Sequence, residues 1–426
     1  INAEYGQPTE HVHHSNDQRN RGSLPPNFKL FTDCIDEILQ NFVWIIQRTV
    51  AMQQQQIFSE TIDVISDLSE KFTNVIAPYA EQLYPLFVHV MKLSIFDRED
   101  LDMGVVNQQV EVMTFIADFI KDNPTAYAQH FDELYPLLMD FKPTSKQVVS
   151  YMFLIAQIGN LAIHNGRYEE TYRAIFNVLC ANVEDESEES ITHIANVLDA
   201  LSAFLEHYCE FCVKQQRPAE QELVQKVFAD IIPQMLERMQ DLRQQEDFDE
   251  EQTDVELECT DVIETASMCY SLFLQIMKDN IDAFVVTHMA NTIEEWLEAG
   301  DSFQNEAVNL LADFCMHIGD PQTVKAFVQP VMDQILENLN SDDPDQIRNN
   351  VNMLHQYIKK TEDAELAENS DLMVQMVEML GTLHDEDSEN ANAAYDNICV
   401  FMCEAGRISG QEEEYWGQLN VLQINE

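Results

Sequence analysis

Glycine and proline are both scarce in this chain, 11 and 13 of 426 residues. Turn-rich sheets need both, and the prolines tend to fall between apolar periodic segments, so long helices and very little β structure are expected. Basic residues are also few: 23 Lys and Arg stand against 76 Asp and Glu, a formal charge of −53. That balance repels nucleic acid and anionic membranes, which excludes direct binding to either and makes a basic polypeptide the complementary partner. The plainer alternative is that acidity keeps a large protein soluble. No run approaches the roughly 18 uninterrupted apolar residues of a membrane span, and no signal-peptide pattern opens the chain, so a soluble protein is expected. The first residue, Ile1, suggests an internal or processed segment of something longer.

Catalytic motifs are missing as well. There is no phosphate-cradling glycine loop, no G-x-S-x-G, no H-E-x-x-H and no paired C-x-x-C. Cys209 and Cys212 make a single C-x-x-C inside a helical stretch, and with Cys180, Cys259 and Cys269 they read as buried thiols of a reducing compartment, cytosol or nucleus. His11, His13 and His14 cluster with Glu10 in a polar opening segment and read as part of a disordered tail. Carboxylate pairs are so numerous that any two carry little weight for acid/base work. A non-enzyme without cofactor or bound metal is expected.

What the chain does contain is period. Residues 1–27 are polar, with Gly6, Pro8, Gly22, Pro25 and Pro26, and read as a linker; from Phe28 apolar residues recur at three and four (Phe31, Ile35, Ile38, Leu39, Phe42, Ile45, Ile46) almost to the end. Tyr79–Met91 and Tyr127–Met139 both carry Leu-Tyr-Pro followed by apolar residues, and similar segments hold Pro233 and Pro330. The prolines at 85, 136, 233 and 330 lie 51, 97 and 97 residues apart, which fits a unit of about 48 residues with two units lacking the proline. Tyr172–Cys180 and Phe284–Leu297 supply the expected proline-free helices. A second helix falls in each interval: Phe58–Phe72, Val105–Lys121, Lys146–His164, Ile191–Cys212, Leu257–Lys278, Gln304–Ile318, Ile347–Lys360 and Asn390–Glu404. Two helices per unit at this period mark an all-α solenoid of about eight HEAT-type hairpins over residues 28–426, a curved superhelix whose inner row of helices forms a groove. The Asp343-Pro344-Asp345-Gln346-Ile347-Arg348 stretch agrees, with Asp in the turn and Arg opening the second helix.

An acidic insertion near 238–258 breaks the spacing, carrying Glu246, Asp247, Asp249, Glu250, Glu251 and Asp254. Such a run is a solvated loop by default; its other role is to clamp cationic cargo in the groove. Tyr415–Glu426 resembles the start of another first helix, so the array is expected to continue.

The ordered series of second helices resembles the importin-β (karyopherin-β) receptors, in particular the branch of importins four and five. Glu258–Lys278 follows an acidic loop, Ser302–Gly319 and Asp345–Lys360 come next, and Asn392–Met402 is similar to an Arg-Asp-Asn-Ile-Cys pattern, with Tyr395 where arginine is usual. Phe31–Phe141 resembles the middle repeats more loosely. The resemblance implies second helices lining the cargo side, with Asn350 and Asn397 gripping an extended backbone beside Arg348 and Asp396. The other reading is that these residues only knit adjacent repeats together. It further implies import of basic cargo such as ribosomal proteins or histones through nuclear pores, shuttling between cytoplasm and nucleus by way of the nuclear envelope. Phenylalanine-glycine nucleoporins would be contacted on the way, and Ran-GTP, acting mainly on repeats outside this chain, would release the cargo. A HEAT scaffold subunit of a larger assembly and a histone or ribosomal-protein chaperone are the rival functions.

Overall fold

A computed structural model describes residues 26–52, 54–93, 103–183, 190–245, 252–278, 281, 283–341, 343–383, 388–411, 413 and 417, and among them there is no strand. Two compact units divide the chain, Ile1–Leu93 and Ser94–Glu426.

The first unit contains α1 (Pro26–Met52) and α2 (Gln55–Met91), packed on each other. Ile35, Leu39, Val43 and Ile46 recur at helical spacing on α1 and are buried, as are Phe58, Ile62 and Ile65 on α2. The sequence suggests a second helix ending near Phe72 and a new one from Tyr79; the structure makes them one. Phe72, Ile76, Tyr79, Leu83, Phe87 and Val90 keep an unbroken three–four period. Pro78 and Pro85 each remove a backbone donor without ending the helix.

The second unit opens with α3 (Met103–Asp122), and hairpins follow. They are α4 (Pro124–Tyr127) and α5 (Phe131–Met139) with α6 (Val148–His164), then α7 (Tyr168–Val183) with α8 (Ile191–Gln215). Next come α9 (Gln221–Gln225) and α10 (Ile232–Gln245) with α11 (Gln252–Met277), and α12 (Ala283–Ala299) with α13 (Asp301–His317). Last are α14 (Pro321–Val328) and α15 (Met332–Asn338) with α16 (Pro344–Thr361), and α17 (Ala364–Ala367) and α18 (Ser370–Leu383) with α19 (Glu389–Ser409).

In the second unit the first helices that carry the repeating proline are interrupted, unlike α2 around Pro85. Pro136 sits inside α5, which a 3₁₀ turn separates from α4; Pro330 lies in the 3₁₀ turn Gln329–Val331; and Pro233 follows the π-helical turn Lys226–Ile231. The proline-free α7 and α12 run unbroken, as expected when no ring displaces a carbonyl. Second helices start cleanly on polar caps: the Ser190 and Ser388 hydroxyls accept from the His193 and Ala391 N–H groups, and Asp343 accepts from Asp345 N–H with Pro344 in the first turn. Each cap stabilises by about 1 kcal/mol.

The second helices form a continuous row: α3 packs on α6, α6 on α8, α8 on α11, α11 on α13, α13 on α16 and α16 on α19. Ser145–His164 is long and apolar enough, at a mean hydropathy of 1.2, to cross a membrane. Here that apolarity answers to burial, because α6 is packed between α3 and α8. Gly159 permits the close approach; a Cβ there would lie 3.2 Å from Tyr168 Cε2 and 3.5 Å from His207 Cδ2.

Candidate functional site

The second helices bury their flanks against one another, which leaves one line of residues per helix for solvent. On α11 that line is Leu257, Asp261, Glu264 and Met268, at spacings of four, three and four, all exposed. On α8, one helix over, Asp199 is half-buried and Glu206 is exposed; on α13, on the other side, Glu306 and Asp313 are half-buried. Three consecutive helices thus carry a band of six carboxylates.

Among the described residues, neutral hydroxyls and an amide supply the hydrogen bonds to the band. Thr265 Oγ1 on α11 donates to Asp199 Oδ1 at 3.1 Å, and Asn309 Nδ2 donates to Glu306 Oε1 at 2.8 Å. Ser267 and Ser271, also on α11, hydrogen-bond Glu306 and Asp313. Partial loss of water, at Asp199, Glu306 and Asp313 by burial and at the exposed Glu206 and Glu264 by crowding neighbours, pushes these five carboxyls above the ordinary range. Like charge adds to this: Asp261 acts on Asp199 and Glu264, and Glu264 and Asp313 act on Glu306. The hydroxyl bonds oppose the shift, and Lys121, in the last turn of α3, opposes it at Asp199 and Glu206. The result is a band of crowded, partly desolvated negative charge that a cation would relieve.

The residues singled out from sequence lie farther along the row. Arg348, on α16, donates from Nη1 to Asn390 Oδ1 at 2.8 Å and pairs through Nη2 with Asp345 Oδ1 at 3.2 Å; Asn390 Nδ2 returns a bond to Asp345 Oδ2 at 2.8 Å. Asn397 Nδ2, on α19, donates to the Arg348 main-chain oxygen at 3.1 Å. Arg348 and Asn397 therefore meet across the α16–α19 seam. Asn350 is 2% exposed, its Nδ2 donating to Gln346 O at 2.7 Å and its Oδ1 having no partner. Asp396 is exposed. Glu246, Asp247, Asp249, Glu250 and Glu251 lie outside the described residues, as do His11, His13 and His14; Asp254 falls in the first turn of α11.

Sequence reading overlooked the carboxylate band. Its signal was an acidic residue set into an otherwise apolar helix and repeated seven residues later, Asp199 with Glu206 and Glu306 with Asp313.

Among the described residues no group of three or more His, Cys, Asp or Glu could hold a metal. Cys209 and Cys212 are buried thiols; Cys209 Sγ donates to Leu272 O at 3.1 Å, and burial raises both thiol pKa values, which favours the unreactive protonated form.

No protein-family model matches this sequence, and no curated protein matches it. Solved structures do. The karyopherin Kap121p bound to the SUMO protease Ulp1p superimposes with a TM-score of 0.66 at 10% identity, covering 91% of this chain and 38% of that one. Kap121p bound to Nup53p gives 0.65 at 10% identity over 92% and 38%, and Kap121p bound to Pho4p gives 0.62 at 9% identity over 92% and 38%. The chain has the fold of a karyopherin α-solenoid and spans about two-fifths of the length of the neighbours it matches.

Proposed function

We infer that this chain is the cargo-holding stretch of an importin-β-like nuclear transport receptor, and that it binds basic protein segments through the second-helix face. The carboxylate band on α8, α11 and α13 carries this reading. An extended cationic segment lying across those helices would pair with charges that burial and mutual repulsion have left under-compensated. Karyopherin Kap121p, whose fold the chain shares, is recorded with protein ligands, which supports the same class of work. Asp396 extends the acidic face onto α19, while Arg348 and Asn397 hold the seam that presents it. The acidic run from Glu246 through Asp254 would add negative charge for the same cationic segment. Ran in its GTP form releases the cargo through repeats outside this chain, and the receptor shuttles between cytoplasm and nucleus past phenylalanine-glycine nucleoporins. No step calls for enzymatic chemistry.

Capture from cell extract by a chain extended with its native flanks, at two salt concentrations, with and without Ran locked in its GTP form, tests this. Basic proteins that bind, weaken steeply with salt and leave on adding Ran-GTP support the receptor. A fixed set of partners indifferent to Ran would make the chain a scaffold instead, and salt-sensitive histones or ribosomal proteins indifferent to Ran would make it a chaperone.

A further inference from the structure

The bonds made by the carboxylate band and its neighbours also fix how each helix stands against the next. On the α8 side, Thr265 reaches Asp199, and the Leu272 main-chain oxygen accepts from Cys209 Sγ. On the α13 side, Ser267 and Ser271 reach Glu306 and Asp313. Met268 falls inside both brackets, between Thr265 and Leu272 and between Ser267 and Ser271. Counted at about 100° per residue from Thr265, the serine flank lies at roughly 200° to 240° and Met268 at roughly 300°, so its side chain projects midway between the two neighbouring helices. Met268 is 42% exposed. Around it stand Asp199 and Glu206 on α8, Glu306 and Asp313 on α13, and Glu264 one turn back on its own helix. At its own level the flanking helices present Ala203 and Asn309, neither of them charged.

A single exposed apolar side chain is ordinary on a protein surface. The surroundings set this one apart. In the middle of five carboxylates, a thioether offers them neither a charge nor a hydrogen-bond donor, and it keeps a flexible, polarisable apolar surface there. A bare ammonium gains nothing from that surface. A lysine or arginine side chain does, because its methylenes lie along apolar surface while its charged head stays among polar groups. Stem and head then find their complements in one place. Met268 lies beneath the methylenes, and Glu264, about 6 Å away along the axis, or a carboxylate of either flanking helix takes the head.

We propose that Met268 is a specificity-determining residue of the cargo face, and that it seats the aliphatic stem of a lysine or arginine whose charged head goes to the surrounding carboxylates. The proposal rests on the cargo reading above and narrows it. The face selects long-stemmed cations, not positive charge as such, and part of its affinity survives salt that screens the charges.

Stem length can be varied at constant charge. An alternating Lys-Ser peptide, and its counterpart with the two-methylene-shorter diaminobutyrate at every lysine, are titrated against the whole chain, M268S and M268L. Both are expected to bind the unaltered chain, the Lys peptide more tightly. M268S should weaken the Lys peptide about two- to fivefold, the worth of two partly covered methylenes, and leave the diaminobutyrate peptide nearly unchanged. M268L should restore the difference. If M268S leaves the Lys peptide unchanged, or weakens both peptides alike, the stem seat is overturned and the band acts by charge alone. If neither peptide binds, the cargo reading fails and the seat with it.

Discussion

The α8–α11–α13 and α16–α19 seams are the same kind of joint, second helix against second helix, and they treat charge in opposite ways. At α16–α19 Arg348 supplies a cation, and Asp345 and Asn390 close a network around it. At α8–α11–α13 the hydrogen bonds to the carboxylates come, among the described residues, from hydroxyls and an amide, which do not neutralise charge, and Lys121 acts on Asp199 and Glu206 from a distance. One seam is finished within the chain and resists addition. The other is electrically incomplete, and an incomplete seam on an exposed face is where a cationic partner gains most. The α6–α8 seam is a third solution, with a neutral pair at its centre, in which His207 stays neutral facing Gln157 Oε1 at 3.3 Å.

The largest effect should come from breaking that neutral seam with acid. Burial holds the His207 imidazole at about 4 against an ordinary 6.5. The unfolded chain takes the proton first, so stability present above pH 6.5 falls as pH drops toward 4, by roughly 3 kcal/mol for so large a shift. Denaturation midpoints of the whole chain against pH should show this fall, and H207Q should flatten it. Unchanged slopes would mean that the imidazole reaches water.

Next is the finished seam. Arg348→Met leaves Asp345 and Asn390 short of a donor and should destabilise by about 1 to 3 kcal/mol in urea titrations, with little change in binding to a basic peptide. A loss of binding without loss of stability would move Arg348 into the cargo site.

The open seam should respond in the reverse sense. Asp199→Asn, Glu306→Gln and Asp313→Asn together remove half-buried charge, and raised carboxyl pKa values mean that the folded state prefers the proton. The band's favourable contribution is present below about pH 4 and is lost as pH rises through the raised folded values. At pH 7 the triple variant should therefore be about 1 to 2 kcal/mol more stable, a gap that shrinks on acidification, while losing affinity for basic peptides. A less stable variant would show that the ionised band supports the fold.

The smallest change is Thr265→Val, which removes one hydroxyl from Asp199 at nearly constant volume. It should cost about 1 kcal/mol at pH 7 and push the Asp199 carboxyl higher, seen by carbon-detected NMR titration. No movement of that titration would mean the bond is not held in solution.

Much of this fold was legible before any coordinates. The three–four period of α1, the repeating proline and the Asp343-Pro344 cap each report on neighbours within a few residues, and local chemistry is what a linear pattern records. The error at Phe72–Tyr79 came from reading a proline as a helix end where the three–four period of the sequence runs on. The candidate site was only partly legible. Arg348, Asp396 and Asn397 were marked by motif, yet whether such residues face cargo or a neighbour depends on burial, and Asn350 lies almost wholly inside.

From sequence alone the chain is determined to be helical, repetitive and strongly acidic, because backbone propensity, apolar period and net charge are sums over local terms. Where that acidity becomes a surface was decided only in three dimensions. Asp199, Glu264 and Glu306 are far apart in the chain, and it is the side-by-side stacking of α8, α11 and α13 that crowds them and strips part of their water, with Lys121 offsetting only part of the charge at Asp199.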